Sequence, residues 1–310
     1  MFLPKDFIQT AQGLVFAVVA AGREDNKVRC FLRYVRGDDG QWRKVPTEHA
    51  NALLSAHYPF YCFHSPALDA FLHGVPFEAI TAHFHPSARL AQLLNQPVRD
   101  TVEADCVALC HLFKEQGVDI SKMGVTGSLL ISQQTIASDI DLVCYDLAVF
   151  EQCRMALRAL LSQGDVTALR ESDWRETYAR RDCDMDFEAY VWHEQRKWNK
   201  ALINGRKCDL SVVEITPPPA AVVYQKVGRV VFSAQVLDDA RAFCYPAEWG
   251  LNHLRIQRVV CFTATYTGQA IAGEWVEIAG QIEEDAQGNQ RVVVGSNREA
   301  RGEYIKVIQT

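Results

Sequence analysis

The sequence predicts an α+β fold in three parts, and three observations carry that prediction. Residues 98–117 have the apolar spacing of a long helix, and short apolar runs alternate with helical stretches from there to residue 214, the pattern of a mixed sheet flanked by helices. Pro217, Pro218 and Pro219 then interrupt regular structure. Beyond them the chain is β-rich. The expected division is an N-terminal α+β module (1–95), a central domain (96–216) and a small β-rich C-terminal module (220–310) that could be OB-like.

In the first part, residues 14–20 and 28–35 are β-rich, and residues 22–26 (GREDN) make a turn between them. Asp38-Asp39-Gly40 is a second turn. Residues 48–56 read as a short helix with Thr47 as its N-cap, residues 58–64 as an aromatic strand and residues 86–94 as a closing helix. No motif in this part points to chemistry. In the second part, Val98, Val102, Cys106, Leu109 and Phe113 share one helix face and Gly117 ends the helix. Strands are expected at 123–126, 140–145 and 208–214, with helices at 129–134 and 150–161. In the third, residues 230–237, 255–265, 275–282, 290–294 and 304–308 read as strands, and residues 285–289 (DAQGN) as a hairpin turn.

Composition narrows the function. The chain has 310 residues, 48% hydrophobic and 23% charged, which is ordinary for a globular protein. A net charge of −6 and a pI near 5.9 argue against a broad nucleic-acid-coating surface. The 10 cysteines include no CxxC pair and sit in apolar runs, so reduced thiols and a cytoplasmic location are expected. The apolar run 13–21 is too short to span a bilayer, and no membrane association is expected.

The informative stretch is GVTGSLLISQQTIASDIDLVCYD, residues 124–146. Phosphoryl transfer needs metal ions to neutralise charge and a site that keeps nucleophile and leaving group in line. Asp139 and Asp141 stand two apart on a strand, so both side chains share a face and can hold one or two ions. Gly127 lets backbone approach a phosphate, and Ser128 opens a short helix whose N–H groups and hydroxyl suit a polyphosphate. Asp209, on a later strand, supplies a third carboxylate, for metal ligation and for taking a proton from the nucleophile. Asp184 and Asp186 compete for that third position but lie in a charged, helical stretch.

Together, Gly127, Ser128, Asp139, Asp141 and Asp209 resemble the DNA polymerase β nucleotidyltransferase superfamily: glycine-serine, a spacer, aspartate-hydrophobic-aspartate, then a later aspartate on a strand. The likeness covers residues 98–215 and is closest to the minimal, archaeal-type nucleotidyltransferases of unassigned substrate. It implies a polymerase β-like domain, an NTP substrate, and Mg²⁺ or Mn²⁺ as cofactor. The flanking modules are unlike those of the polymerases proper, which speaks against DNA synthesis.

Other clusters have plainer readings. The basic residues between Arg170 and Lys207 are interleaved with acidic ones from Glu171 to Glu194, as on a salt-bridged, solvated helix face. Arg196 and Lys200, four apart, would share a helix face and reach the NTP. Cys62, His64, His83 and His85 match no standard zinc spacing and read as packing or surface residues. Trp249, Tyr266 and Trp275 would stack on an oligonucleotide or complete a core. The expected activity is therefore metal-dependent transfer of an NMP from an NTP to an acceptor hydroxyl of an RNA end, a protein or a small molecule, with release of pyrophosphate. The competing reading is a regulatory or scaffold protein that binds NTP without turning it over.

Overall fold

The protein is described by a computed structural model that covers residues 1–181, 183–215, 222–297 and 300–308. Pro217, Pro218 and Pro219 lie outside these described residues. The fold is mixed α+β with several sheets.

The chain forms two compact units rather than three modules. The first takes Met1–Ser65, Phe71–Thr167 and the segment opening at Asn199; the second takes Pro66–Ala70, Ala168–Trp198 and the C-terminal strands. The expected border near residue 95 therefore falls inside one unit.

The first unit holds two sheets. The larger contains β1 (Phe7–Thr10), β2 (Leu14–Val18), β3 (Lys27–Arg36), β4 (Trp42–Lys44), β5 (Cys62–Ser65), β6 (Ala70–Pro76) and β7 (Ile80–Phe84). Its order is β5-β6-β3-β2-β1-β7, with β4 also paired to β3. Buried and half-buried residues alternate along β3, as a sheet with one core face requires. The helix α1 (Thr47–His57) buries Ala50 and Leu54 in a core with Ile8, Phe16, Val28 and Tyr61. Its N-cap is Pro46, and Thr47 is already helical.

The smaller sheet has the order β10-β11-β9-β8, from β8 (Met123–Val125), β9 (Ile140–Cys144), β10 (Lys200–Ile203) and β11 (Arg206–Val212). The helices α2 (Pro86–Asn95), α3 (Thr101–Glu115), the single turn α4 (Gly127–Leu130) and α5 (Leu147–Gln163) accompany it. Asp100 caps α3 by accepting from Val102 N and Glu103 N, and Val102, Cys106, Leu109 and Phe113 form its buried face as expected, whereas Val98 precedes the cap and is exposed, so the helix starts later than its apolar spacing predicts. Gly124 is required in β8, because a Cβ there would lie 2.7 Å from the Pro86 backbone of α2.

A buried ion cluster ties α2, α3 and α4 together. Arg89 donates to the Leu129 carbonyl at 2.9 Å and to Glu103 at 2.7 Å, and Arg99 also bonds Glu103. Burial pushes the Glu103 carboxyl up, but hydrogen bonds from Arg99 and Arg89 outweigh it and hold the pKa at about 2.

The second unit contains the helices α6 (Glu171–Arg181) and α7 (Phe187–Arg196). Its sheet is built from β12 (Tyr224–Arg241), β13 (Ala247–Asn252), β14 (Ile256–Cys261), β15 (Trp275–Asp285), β16 (Gln290–Val294) and β17 (Tyr304–Val307). The order β12-β13-β14-β16-β15 closes, because β12 pairs with β15 as well as β13. β14 and β16 run parallel, and β17 adds to β15. The Asp285 turn forms as expected, with Asp285 N donating to the Asn289 carbonyl at 3.1 Å. The salt-bridged helix face is also present: Arg170 pairs with Asp173 and Arg175 with Glu171.

The Glu103 cluster gives a pH test. A depressed carboxyl contributes stability above its unfolded pKa and loses it as pH falls through its folded value. Glu103→Gln should cost about 3–5 kcal/mol near neutral pH by leaving Arg89 buried without its partner. That cost should fade as the wild type is acidified toward about pH 2. Denaturant titrations of both proteins across pH measure the difference; a pH-independent gap would contradict the assignment.

Candidate active site

The site is set by strand register. β9 and β11 pair in parallel with Asp141 opposite Asp209, so the two side chains leave the sheet on the same face. Asp139 lies just before β9, two residues from Asp141, and shares that face. The alternate residues Ile140, Leu142 and Leu210 are buried on the other side. The side chains of Asp139 and Asp209 keep 29% and 35% exposure, so they face solvent and not the core.

The turn before α4 is pressed against this group. Gly127 has φ +67° and begins α4. A Cβ built on it would lie 2.4 Å from Asp141 Oδ2, so only glycine lets the backbone pass this close. Thr126 N donates to the Asp141 carbonyl at 2.9 Å, locking the turn to β9. Ser128 follows, half-buried. α4 is one turn and ends at Leu130, shorter than the helix expected to reach residue 134. Any phosphate grip here therefore rests on individual N–H groups and the Ser128 hydroxyl more than on a summed helix dipole.

The electrostatics show an anionic cluster partly balanced by lysines. Burial pushes the Asp141 carboxyl above the ordinary range, and the charges of Asp209 and Asp139 push it further. Lys5 and Lys44 act in the opposite direction. Lys200 stands across from Asp209 in the β10–β11 pair, with Nζ 3.5 Å from Asp209 Oδ2. Lys207 Nζ is 3.7 Å from Asp139 Oδ1, and Asn199 donates to Asp209 Oδ1 at 3.3 Å.

Gly127, Ser128, Asp139, Asp141, Asp209 and Lys200 thus belong to one unit and one neighbourhood. Arg196 lies in the other unit. It is the last residue of α7, whereas Lys200 opens β10, so the two do not share a helix face. Trp198, at φ +54°, breaks the helix between them. Arg196 belongs to the second unit, where it pairs with Glu274 at 2.5 Å and lies over the Trp192 ring. Asp184 and Asp186 are in that unit too and have structural partners: Asp186 caps α7, and Asp184 accepts from Gly302 N. Trp249 and Tyr266 are core residues, the former donating to the Ala270 carbonyl at 3.0 Å, while Trp275 is exposed.

Lys5, Lys44 and Tyr34 were not found by sequence reasoning. All three act electrostatically with Asp141 although they come from the N-terminal sheet and the segment before it. Lys5 has an unusual φ of +76°; its N–H donates to the Val18 carbonyl and its own carbonyl accepts from Thr126 Oγ1 at 2.8 Å. The positive φ is a backbone signal that no sequence pattern announces.

All ten cysteines are free thiols, most of them buried, as expected. Among the described residues no helix is long and apolar enough to cross a membrane. No family model matches the chain, and no solved structure matches it. A protein of Methanocaldococcus jannaschii, described as "Uncharacterized protein MJ1086", is 31% identical across 98% of this chain and 98% of its own length.

The raised Asp141 carboxyl yields a stability test. Its ionised form is disfavoured in the fold, so the wild type gains stability as pH falls through the folded pKa. Without divalent metal, Asp141→Asn should raise Tm at neutral pH, each kcal/mol being worth roughly 2–4 °C at this chain length. The gain should shrink as pH falls through the folded pKa and the wild-type carboxyl takes up its proton. Thermal unfolding in a chelator measures this, and a lower Tm for the variant at neutral pH would count against a strained anionic cluster.

Proposed function

The chain belongs to the same family as that uncharacterised archaeal protein, and we propose that it is a metal-dependent nucleotidyltransferase that moves an NMP from an NTP to an acceptor hydroxyl. One observation carries the reading: two aspartates in register on adjacent parallel strands, a third beside them, and a glycine turn packed on the central one. The order β10-β11-β9-β8 with its helices supports a polymerase β-like domain. The closed circuit of β12 to β16, with its parallel β14–β16 pair, supports an OB-like second module.

The donor set fits Mg²⁺ or Mn²⁺. It consists of carboxylate oxygens, which hard divalent ions prefer. Burial, and after it the charges of Asp209 and Asp139, raise Asp141, as expected of anions gathered to receive a cation. Asp139, Asp141 and Asp209 would hold the ions, which when bound neutralise phosphate charge. The protein's own groups do the rest. Backbone at Gly127 and the Ser128 hydroxyl orient the polyphosphate. Lys200 and Lys207, next to Asp209 and Asp139, offset charge that develops on the departing pyrophosphate. A carboxylate oxygen of Asp209 accepts the proton as the acceptor oxygen forms its bond to the α-phosphorus and the bond to pyrophosphate breaks.

The test uses each α-labelled NTP in turn, with Mg²⁺ and a pool of cellular RNA, protein and metabolites. Wild type should transfer label to one acceptor class and release pyrophosphate. Asp141→Asn and Asp209→Asn should each reduce transfer by more than about 100-fold, the scale of losing one strong transition-state contact. Binding of NTP without transfer by the wild type would favour the regulatory reading, and full activity in Asp141→Asn would exclude the proposed chemistry.

A further inference from the structure

We propose that Asp6, His83 and His85 form a binding site for a divalent transition-metal ion of the zinc class, distinct in chemistry from the aspartate site. β1 and β7 pair antiparallel with Phe7 opposite Phe84 and Ile8 opposite His83. Continuing that register places Asp6 opposite His85, and strand alternation puts Asp6, His83 and His85 on one face. β7 is at the end of its sheet, and His85 is the N-cap of α2, so the group lies where strand gives way to helix.

The geometry is tight. His83 Nε2 is 2.8 Å and His85 Nδ1 4.0 Å from Asp6 Oδ2, and one donor atom from each residue lies within 4.8 Å of the others. Among the described residues no other set of three such groups is this close; the three aspartates form a more open arrangement. The imidazole rings are 3.7 Å apart. Leu3 N donates to Asp6 Oδ2 at 3.1 Å, and the Phe2 ring stacks on His83 at 4.6 Å, so carboxylate and ring are both held by neighbours. Exposure is graded, from 2% at Asp6 through 19% at His83 to 49% at His85.

Two imidazole nitrogens and one carboxylate oxygen suit zinc and its neighbours in the transition series, whereas Mg²⁺ prefers oxygen. Three protein ligands leave a coordination position for water or a further donor on the exposed His85 side. Cys62 and His64, the other half of the loose sequence pattern, are not part of this group: Cys62 is exposed beside Ser55, and His64 packs against Phe71. An ion at Asp6 would fasten the N-terminal segment to β7, next to Lys5.

The full-length protein is titrated with zinc in excess Mg²⁺, which occupies any oxygen-only site, and followed by calorimetry and elemental analysis after dialysis. One zinc per chain is expected. His85→Ala, at a half-exposed position that tolerates truncation, and His83→Ala should each weaken binding by more than about 100-fold, since even outer-shell changes cost 10–100-fold. Asp141→Asn and Cys62→Ser should bind zinc like the wild type. Circular dichroism establishes that the variants are folded. A wild type that takes up no zinc, or unchanged binding in folded His85→Ala, overturns the proposal; zinc lost in Asp141→Asn or Cys62→Ser relocates the ion and overturns it equally.

Discussion

Like-charge repulsion at one point of one sheet is the cost that the packing of the first unit has to offset. The parallel pairing of β9 and β11 sets Asp141 against Asp209, and Asp139 adds a third negative charge. Hydrophobic burial on the opposite face, through Ile140, Leu142 and Leu210, fixes the register, so the acidic side chains cannot slip apart without exposing that core. The fold therefore supplies the free energy that keeps them together. Lys200 and Lys207 are positioned on the neighbouring hairpin where they offset part of the repulsion. Gly127 closes the remaining side.

Charge balance at this point draws on the whole unit. Lys5 and Lys44 come from the N-terminal sheet, and Tyr34 from the strand between them in sequence. The Arg89–Glu103 cluster holds α2, α3 and α4 in place, and α4 begins at Gly127. A region that shows no chemical motif in its sequence thus supplies electrostatic context for Asp141, far along the chain.

Legibility in the sequence followed the range of the interactions. Local patterns were readable: the apolar face of α3, the Gly127-Ser128 turn, the paired spacing of Asp139 and Asp141, the Asp285 hairpin and the strand Gln290–Val294. The short strands Phe7–Thr10, Trp42–Lys44 and Ala247–Asn252 were not, because four, three and six residues carry too little periodicity and their pairing partners define them. Arg196 and Lys200 looked like helix neighbours because spacing cannot announce the left-handed residue Trp198 that separates them. Asp6 and His83 could not be joined from sequence, being brought together by the β1–β7 pairing alone. The merging of the N-terminal module with the central domain is of the same kind, since it depends on close approaches such as Gly124 to Pro86.

The order of segments along the chain has a consequence for biogenesis. Helices α6 and α7 belong to the second unit but are encoded between α5 and β10 of the first. On the ribosome, β9 therefore emerges well before β11, the strand that must lie beside it, and an interruption belonging to another folding unit comes in between. Until that later strand arrives, one edge of β9 has no sheet partner from this chain. Nascent chains paused after α7 would expose this edge, a natural target for holdase chaperones and a starting point for intermolecular strand pairing.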